Sequence, residues 1–392
     1  MDINNTIELK DIVDRQRKFF NTDKTKSVAY RMDMLHRLKK AINDNEELII
    51  KALYDDLSKS EAEAYMTEIA IVYEEINIAL KNIGKWSKPQ KVKGTLGTFP
   101  AKSYIYSEPY GVVLIMSPWN YPFNLTINPL TAAIAAGNCV IIKCSEDSGQ
   151  TSKIIEKIIK ETFEDDYIFC VTDNVDYDEL INQRYDYIFY TGNPRIGKII
   201  MRAASENLTP VSLELGGKSP CIVDETADIE LTAKRIAWGK LLNAGQTCVS
   251  VDYVVVHSGV KEKFLGALQK EINLRYPDAP NNKNYPRIIN NRHYERLANL
   301  IKTEKNVIGG QKNDEKLKIS PTIFPNVDFD HEIMAEEIFG PLLPVIEYND
   351  INKVIHTIKE REKPLACYVF TQNRELANHV INSLSYGGGC IN

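Results

Sequence analysis

The sequence predicts an α/β protein in which a doubly wound parallel sheet is followed by a second α/β unit. Short apolar runs alternate with helical stretches between residues 111 and 216, and a new alternation begins after residue 217. Such alternation is typical of parallel sheets that are covered by helices on both faces. The 392-residue chain has room for two or three domains at about 100–200 residues each.

The first part of the chain is predicted to be helical, because apolar residues repeat at three- and four-residue steps in residues 11–22, 27–57 and 60–86. Residues 87–100 are rich in Pro, Gly and Lys and indicate a loop. Two short strand-like pieces follow, separated by Glu108-Pro109.

The elements of the two α/β stretches follow from their local patterns. The predicted strands are GVVLIMS, CVIIKC, YIFCVT, YDYIFYTG and VSLELGG, and then CIVD, VDYVVVHS, LPVIEYN and PLACYVFTQ. The predicted helices are LTINPLTAAIAAG, SKIIEKIIKETF, IGKIIMRAASEN, DIELTAKRIAWGKLLN, VKEKFLGALQKEI, RHYERLANLIKT, INKVIHTIKERE and NRELANHVINSL. Because ligands of such sheets bind at the carboxyl ends of the strands, we expect functional residues in the loops there.

Composition argues against several classes of protein. The net charge is −5 and the basic residues are scattered, whereas a nucleic-acid partner needs a concentrated basic face. The charged N-terminal residues lack the apolar core of a signal peptide, and no apolar window approaches the ~18 residues of a membrane span. The seven cysteines lack the spacing of a disulfide framework, which favours a reduced, cytoplasmic setting. The six histidines are far apart, so we expect no metal site.

Two loops carry residues suited to nucleotide binding. Lys143 ends an apolar strand and Glu146 follows it, and a carboxylate in this place can bind ribose hydroxyls. Gly192 and Gly197 frame a turn between a strand and a helix, where backbone amides attract phosphate. A solvated ion pair and a plain strand–turn–helix are the respective alternatives, and neither motif decides between them.

Other loops carry residues suited to carbonyl chemistry. Asn120 lies beside Trp119 in the proline-stiffened SPWNYPFN loop, where a rigid amide can donate to an oxyanion. Glu214 lies inside an apolar strand, where partial burial would raise its pKa and suit it to general-base work. A structural aromatic turn and a buried ion-pair carboxylate are the alternatives.

Cys248 follows a small, turn-prone segment and precedes a β-branched run. The glycine at position 245 can turn this thiol toward a cavity, although an inert buried cysteine is the alternative. Further on, AEEIFGPLLP places Glu337 and Phe339 just before a Gly-Pro turn, where both could reach a cofactor.

These motifs in this order resemble the aldehyde dehydrogenase superfamily: PWNYPF, the KxSE-type turn, YTGNxxxG, LELGGKSP, GQTC and EEIFGP, over roughly residues 30–392. LTPVSLELGGKSPCIVD and RIAWGKLLNAGQTC are most similar to the class 3 branch, which takes fatty and aromatic aldehydes. The resemblance implies an aldehyde dehydrogenase-like fold with a Rossmann-type sheet. It also implies three parts: an NAD(P)-binding domain (1–88 and 111–214), a bridging and oligomerisation hairpin (89–110) and a catalytic domain (215–392).

The resemblance also implies residue roles. Cys248 would be the nucleophile, Glu214 the general base and Asn120 the oxyanion donor, acting with the Cys248 backbone N–H. The cofactor residues would be Lys143 and Glu146 at the adenosine ribose, Gly192 and Gly197 at the pyrophosphate turn, Glu337 at the nicotinamide ribose with Phe339 beside it, and Trp119.

The chain departs from the family pattern at three points. Cys144 stands where Pro is usual in the KPSE turn, and Asn193 replaces the Ser that commonly follows Thr-Gly. The sequence ends at SYGGGCIN, where relatives continue for several dozen residues that supply part of the substrate funnel and a strand of the oligomerisation sheet. The strand pair at residues 102–113 is the expected bridging hairpin.

The expected activity is oxidation of a medium- or long-chain aliphatic or an aromatic aldehyde to the carboxylate with NAD or NADP, through a thiohemiacetal and a thioester on Cys248. Two alternatives are an acylating enzyme that releases the thioester to coenzyme A or phosphate and an inactive or weakly active, truncated nucleotide-binding remnant. The presence of Glu214 disfavours the acylating reading, since acylating relatives lack that base. The expected partners are a small-molecule aldehyde and, with the tail, a second copy in a homodimer.

Overall fold

The structure is a computed structural model that describes residues 8–171 and 175–392. The start of the predicted first domain, residues 1–7, and Thr172 of the predicted strand YIFCVT lie outside the described residues. The helices are α1 (Leu9–Phe20), α2 (Val28–Asp44), α3 (Glu46–Leu57), α4 (Glu61–Ala64), α5 (Ala70–Trp86), α6 (Asn124–Ala136), α7 (Gly149–Thr162), α8 (Tyr177–Ile181), α9 (Pro194–Ser205), α10 (Ile229–Leu241), α11 (Lys261–Arg275), α12 (Asn291–Lys302), α13 (Ile351–Lys359) and α14 (Arg374–Ser383). The strands are β1 (Gln90–Val92), β2 (Ser103–Ile105), β3 (Val112–Met116), β4 (Cys139–Lys143), β5 (Ile168–Val171), β6 (Tyr187–Gly192), β7 (Val211–Leu215), β8 (Pro220–Val223), β9 (Tyr253–His257), β10 (Lys312–Asn313), β11 (Lys318–Ile319), β12 (Thr322–Phe324), β13 (Leu342–Tyr348), β14 (Ala366–Phe370) and β15 (Gly388–Ile391).

The chain divides into two compact units. The first comprises Met1–Asp56 and Glu61–Glu214, and the second comprises Leu57–Ser60 and Leu215–Asn392. The short segment Leu57–Ser60 belongs with the second unit, where the Leu57 carbonyl accepts the backbone N–H of Arg287 at 2.9 Å. The assignment of cofactor binding to one range and catalysis to another stays a prediction.

The first unit is built on a five-stranded sheet in the order β5-β4-β3-β6-β7. Strand β3 pairs in parallel with β4 and β6, and its register sets Met116 beside both Lys143 and Tyr190. Strands β3 and β4 are buried along their whole length, as expected for strands covered on both faces. Because the chain extends the sheet in opposite directions from β3, the carboxyl end of β3 is a topological switch point.

The predicted helices of the first unit form, with two local differences. The stretch 27–57 is interrupted at Asn45, whose φ of −117° and ψ of 12° separate α2 from α3. The stretch 60–86 contains a π-helical turn, Tyr65–Ile69, between α4 and α5. Among the described residues, no helix has both the length and the apolar character that crossing a bilayer requires.

The predicted hairpin forms with a different partner strand. Strand β2 pairs antiparallel with β1, so that Lys91 lies opposite Tyr104. The prediction that two strands within residues 102–113 pair with each other is therefore wrong. The second of these strands is the start of β3 in the five-stranded sheet. Strand β1 lies in the Pro- and Lys-rich stretch that was predicted to be a loop. It was missed because it is stabilised by pairing with a strand that begins after ten intervening residues, and its own residues show no strand pattern.

The second unit contains a six-stranded sheet in the order β12-β13-β9-β8-β14-β15, in which every pair is parallel. Alternate residues of β9 face two separate cores: Tyr253 and Val255 pack in one, and Val254 and Val256 in the other. The four predicted strands occupy the middle of this sheet. Both edge strands were missed, because β12 is short and the glycine-rich β15 has little strand propensity.

Candidate active site

Asn120 lies in the loop between β3 and α6, at the carboxyl end of the strand where the sheet order reverses. Its side chain is 3% exposed, and the neighbouring Tyr121 and Phe123 are also buried. At the start of the loop the Ser117 N–H donates to the Lys143 carbonyl at 3.1 Å. The loop therefore has the buried, fixed setting that a side-chain amide needs if it is to act as a preorganised donor.

The structure brings Lys143 and Glu146 together in the first unit. The Lys143 Nζ lies 3.3 Å from Glu146 Oε1 and donates to the Cys144 carbonyl at 3.0 Å. Lys143 is buried while Glu146 is half exposed. Burial opposes the charge, but Tyr177 and Glu146 outweigh it, so the pKa of Lys143 is raised. A permanent cation beside an accessible carboxylate can bind the hydroxyl groups of a ribose.

Tyr177 is part of this group, although it was not among the residues predicted from the sequence. Its ring lies 5.1 Å from the Lys143 Nζ, within the range of a cation–π contact. Tyr177 begins α8, which is far from Lys143 along the chain, and no motif connects the two residues.

The turn that begins at Gly192 leads from β6 directly into a helix. Asn193 caps α9, since its Oδ1 accepts the Ile196 N–H at 3.0 Å, and Pro194 occupies the first turn. Gly197 lies inside the helix, where it is buried and donates its N–H to the Asn193 carbonyl. This strand–turn–helix fits an anion at the helix N-terminus, but Asn193 already satisfies one of the amides there.

Glu214 lies in β7, as predicted, but it is not buried. Strand β7 is at the edge of its sheet, and Glu214 is the exposed residue in a strand whose other members are half-buried. The expectation of partial burial is therefore wrong. The reason is that an apolar run in the sequence does not reveal that its strand has a neighbour on one side only. An exposed carboxylate retains access to water.

Cys248 lies on a turn between α10 and β9 in the second unit, and its side chain is half-buried. Three successive residues before it have left-handed backbone: Asn243 (φ 51°), Ala244 (φ 50°) and Gly245 (φ 75°). Non-glycine residues rarely adopt this conformation, so surrounding contacts must maintain it. Such local strain in a buried turn is frequent at functional sites.

Gln246 provides part of that support. Its Nε2 donates to the carbonyls of Asn243 and Arg287, both at 3.0 Å, and its Oε1 accepts the Ile289 N–H at 3.1 Å. These bonds tie the cysteine turn to residues 287–289. Gln246 is fully buried, and both the nitrogen and the oxygen of its side-chain amide are hydrogen-bonded. It therefore fixes the start of the turn that carries Cys248.

The other cysteines have different surroundings. Of these six, all in the described part of the chain, five are buried and Cys390 is exposed. Burial raises the pKa of Cys139 and Cys367 to about 12 and raises that of Cys221 well above its ordinary value. Because the thiolate is the reactive form, these three are inert at neutral pH.

The cysteine turn contacts the loop that carries Glu337 and Phe339, in the same unit. A Cβ added to Gly245 would lie 2.3 Å from the Gly340 carbonyl oxygen, so only glycine fits there. Phe339, next to Gly340, has a φ of 49°, which is unusual for a bulky residue. The structure therefore brings together the Cys248 turn and the predicted cofactor residues of the second unit.

Charged side chains hold the backbone on both sides of Glu337. The Lys218 Nζ donates to the Ile333 carbonyl at 3.2 Å and the Glu336 carbonyl at 2.8 Å, and it pairs with Asp252 at 2.5 Å. Asp252 in turn accepts the N–H of Ile338 at 2.9 Å. Neither Lys218 nor Asp252 was among the residues predicted from the sequence, although Lys218 is part of the LELGGKSP motif.

The Glu337 carboxyl is half-buried against glycine backbone. It accepts the Gly217 N–H, and a Cβ at Gly216 would lie 2.1 Å from its Oε2. Burial and the nearby Asp252 raise the pKa of Glu337 to about 7, although Lys218 and Lys240 oppose the shift. The two glycines of LELGG thus make room for a carboxyl group that is poised to ionise near neutral pH.

Lys240 is a buried amine in the same region. It is 3% exposed, and within the described ranges its Nζ has no hydrogen-bond partner. Burial lowers its pKa to about 8, against the opposing attraction of Asp252. A lysine in this environment costs stability whenever it is charged.

Replacing Lys240 with methionine is expected to stabilise the protein. The folded pKa of about 8 lies below the ordinary value of 10.5, so the unfolded chain binds more protons between these values. The stability advantage of Lys240→Met over the native protein should therefore shrink as the pH rises from 8 to 10.5, and the charged lysine should cost on the order of 3 kcal/mol at pH 7. Denaturant melts from pH 7 to 10.5 measure both effects.

The matched control is Lys234→Met on the exposed face of α10, which should change stability by less than about 0.5 kcal/mol. A Lys240→Met variant that is destabilised at pH 7 by more than this control would contradict the prediction.

Comparison with known proteins identifies the family. A profile described as the aldehyde dehydrogenase family matches residues 4–392. The 4,4'-diaponeurosporen-aldehyde dehydrogenase of Staphylococcus aureus (strain NCTC 8325 / PS 47) is 46% identical over 380 residues, which are 96% of this chain and 83% of that protein. The dimeric NADP-preferring aldehyde dehydrogenase of Rattus norvegicus is 42% identical over 98% of this chain and 85% of its own length.

A solved structure agrees with these relatives. Staphylococcus aureus AldH in its substrate-bound state has a TM-score of 0.95 and 44% identity, over 98% of this chain and 84% of that one. The family profile spans nearly the whole chain, and these relatives are more than 40% identical to it over the matched residues, so both comparisons identify the same family. The chain therefore belongs to the aldehyde dehydrogenase family, and it is an aldehyde dehydrogenase that uses NAD or NADP.

Proposed function

We propose that this enzyme oxidises its aldehyde through a covalent intermediate on Cys248. The observation that carries the proposal is the turn in which Cys248 lies: three left-handed residues, a buried glutamine and a glycine contact present one half-buried thiol next to the Glu337 loop. A cysteine that merely filled a core would need none of these features.

The proposed roles follow the chemistry of the side chains. The Cys248 thiolate attacks the carbonyl carbon, and the resulting oxyanion accepts hydrogen bonds from the Asn120 side chain and the Cys248 N–H. Departure of hydride from the tetrahedral carbon leaves a thioester on Cys248. Glu214 then removes a proton from the water that hydrolyses the thioester, which releases the carboxylate and restores the thiolate.

Three groups fit a nicotinamide dinucleotide, which supplies the hydride acceptor when bound. In the first unit, Lys143 with Glu146 suits a ribose, and the turn from Gly192 into α9 suits a phosphate. In the second unit, Glu337 lies against glycine backbone with its carboxyl half accessible. We propose that Gly197, Trp119 and Phe339 complete the cofactor contacts.

The choice between hydrolysis and acyl transfer is tested by product analysis. The purified enzyme should convert the aldehyde and NAD or NADP into the free carboxylate at the same rate with and without coenzyme A. Acyl-coenzyme A as the main product would refute the hydrolytic role of Glu214. Cofactor binding without turnover, across aliphatic and aromatic aldehydes, would instead indicate a nucleotide-binding remnant.

We further propose that the substrates are medium- or long-chain aliphatic aldehydes or aromatic aldehydes. The Staphylococcus aureus relative is named for 4,4'-diaponeurosporen-aldehyde, and its match covers 96% of this chain. The matching test is a comparison of kcat/KM for short, long and aromatic aldehydes. A preference for the shortest aldehyde would contradict the proposal.

Glu337 should make cofactor binding depend on pH. With a pKa of about 7, its carboxyl is mostly protonated at pH 6 and mostly ionised at pH 8. Because a carboxylate accepts stronger hydrogen bonds than a carboxylic acid, the cofactor dissociation constant should fall by about fivefold over this range. Titrations from pH 6 to 8 measure the effect, and Glu337→Gln should abolish the pH dependence. An unchanged dependence in that variant would assign it to another group.

We also propose a homodimer in a reducing, cytoplasmic compartment. The rat relative is named as dimeric, and all seven cysteines of this chain, which lie in the described part, carry thiols rather than disulfides. The exposed Leu96 and Phe99 near the hairpin provide apolar surface that a second copy would cover. Sedimentation of the Leu96→Asp variant should show a shift toward monomer.

A further inference from the structure

Glu68 is a buried carboxylate at the start of the helix that follows the Asn120 loop. Its Oε2 accepts the backbone N–H of Phe123 at 3.1 Å and that of Asn124 at 2.9 Å. Its side chain is 0% exposed. Both contacts lie within the first unit, and they join residues that are 55 and 56 positions apart in the chain.

These two bonds replace a cap that the local sequence lacks. The first amides of a helix have no partner within the helix, and a polar side chain at the N-cap position usually satisfies one of them. Helices α9, α10 and α12 are capped in this way, by Asn193, Asp228 and Asn290. Helix α6 has Phe123 at its N-cap, which makes no side-chain cap bond. Glu68 therefore caps α6 from another helix, and its charge suits the positive end of the helix dipole.

The π-helical turn Tyr65–Ile69 places Glu68 for this contact. A π turn inserts a residue into the helix and so changes the direction of the side chains around it, and such turns are frequent at functional sites. The same turn makes a second bond to α6, because the Thr67 carbonyl accepts the Asn124 Nδ2 at 3.2 Å. Two adjacent residues of one irregular turn thus hold the first residue of α6.

The loop that carries Asn120 is consequently fixed at its end as well as at its start. Ser117 is held at one end, where its N–H donates to the Lys143 carbonyl. At the other end the Thr126 hydroxyl oxygen lies 2.6 Å from both Ser117 Oγ and the Pro122 carbonyl oxygen. Between these points the Leu125 N–H donates to the Tyr121 carbonyl, next to Asn120. Movement at the start of α6 would therefore reach Asn120 through only a few residues.

We infer that Glu68 is a positioning residue for Asn120: by capping α6 it holds the amide that donates to the oxyanion. The inference rests on the proposed function, in which Asn120 is that donor. Glu68 binds backbone amides at the end of the loop, and it acts on the reaction through the loop.

A double-mutant cycle tests the inference. Glu68→Gln keeps the volume and one accepting oxygen but removes the charge, and Glu68→Ala removes the cap. Each should lower kcat for cofactor reduction by about 10- to 100-fold, because a shift of about 1 Å in a positioned group has an effect of this size. In an Asn120→Ala background the same changes should lower kcat by less than about threefold, since the group they position is absent.

The matched control is Asp56→Asn. Asp56 is also a buried carboxylate that caps a helix from a distance, since its two oxygens accept the Gln150 N–H at 3.1 Å and the Thr151 N–H at 2.7 Å at the start of α7. Its effect on kcat should be the same in the native and Asn120→Ala backgrounds.

The outcomes are distinct. An equal fold-loss for Glu68→Gln in both backgrounds, as for Asp56→Asn, would overturn the positioning role and leave the proposed function standing. Native kcat in Asn120→Ala alone would refute the proposed donor, and the inference with it. Thermal melts identify a folding defect. If Glu68→Ala does not fold, the double-mutant cycle with Glu68→Gln alone tests the positioning role. A native kcat in folded Glu68→Gln would also overturn the inference.

Discussion

Replacing Cys248 with serine should lower turnover by at least about 10⁴-fold while the affinity for NAD or NADP stays unchanged. A serine hydroxyl is not ionised near neutral pH. Removing an enzyme's nucleophile typically lowers kcat by about 10⁴- to 10⁶-fold. The turn should keep its shape, since the left-handed backbone of residues 243–245 and the hydrogen bonds of Gln246 support it in both variants. Steady-state formation of reduced cofactor and a cofactor titration measure the two quantities.

The control for this experiment is Cys390→Ser. Cys390 is the exposed cysteine, it lies in the edge strand β15, and its loss should leave turnover unchanged. Mass spectrometry after a brief reaction should find the substrate's acyl group on a peptide containing Cys248. Native turnover in Cys248→Ser would refute the proposed mechanism, whatever the cofactor titration shows.

Replacing Glu214 with glutamine should separate the two halves of the reaction. The thioester should still form, so that about one equivalent of reduced cofactor appears rapidly per active site. The following steady state should be slower than that of the native enzyme by about 10²- to 10⁴-fold, which is the usual contribution of a general base. Rapid mixing measures the burst, and intact-mass analysis measures the accumulated acyl-enzyme.

Glu206→Gln provides the comparison, because Glu206 is another exposed carboxylate of the same unit, just after α9. It should show native rates and no accumulated acyl-enzyme. If Glu214→Gln lost the burst together with the steady state, Glu214 would act before the thioester forms. Retention of the native steady-state rate would place the base on another residue.

The local sequence predicted those parts of the site that a strand or a turn carries by itself. Lys143 and Glu146 are three residues apart on one turn, and they meet as a salt bridge. Cys248 lies on a turn because glycine and small residues precede a β-branched strand. Residues this close in the chain meet through local geometry, so a motif is enough to predict their proximity.

Burial and long-range support could not be predicted in this way. Glu214 was expected to be partly buried, yet β7 is an edge strand and the residue is exposed. Whether a strand has one neighbour or two depends on the order of the whole sheet. The raised pKa of Glu337, about 7, likewise depends on its burial and on Asp252, against the opposing effect of Lys218 and Lys240.

The amino-acid sequence by itself determined the α/β class, the central strands of both sheets, the family and the residues that the proposed chemistry uses, because apolar periodicity and short motifs are properties of neighbouring residues. Only the tertiary structure decided which strands lie at sheet edges, that β1 completes the hairpin, and that Glu68 caps α6 across 55 residues. The physical reason is that burial, dielectric surroundings and hydrogen-bond partners between distant segments exist only once the chain has packed.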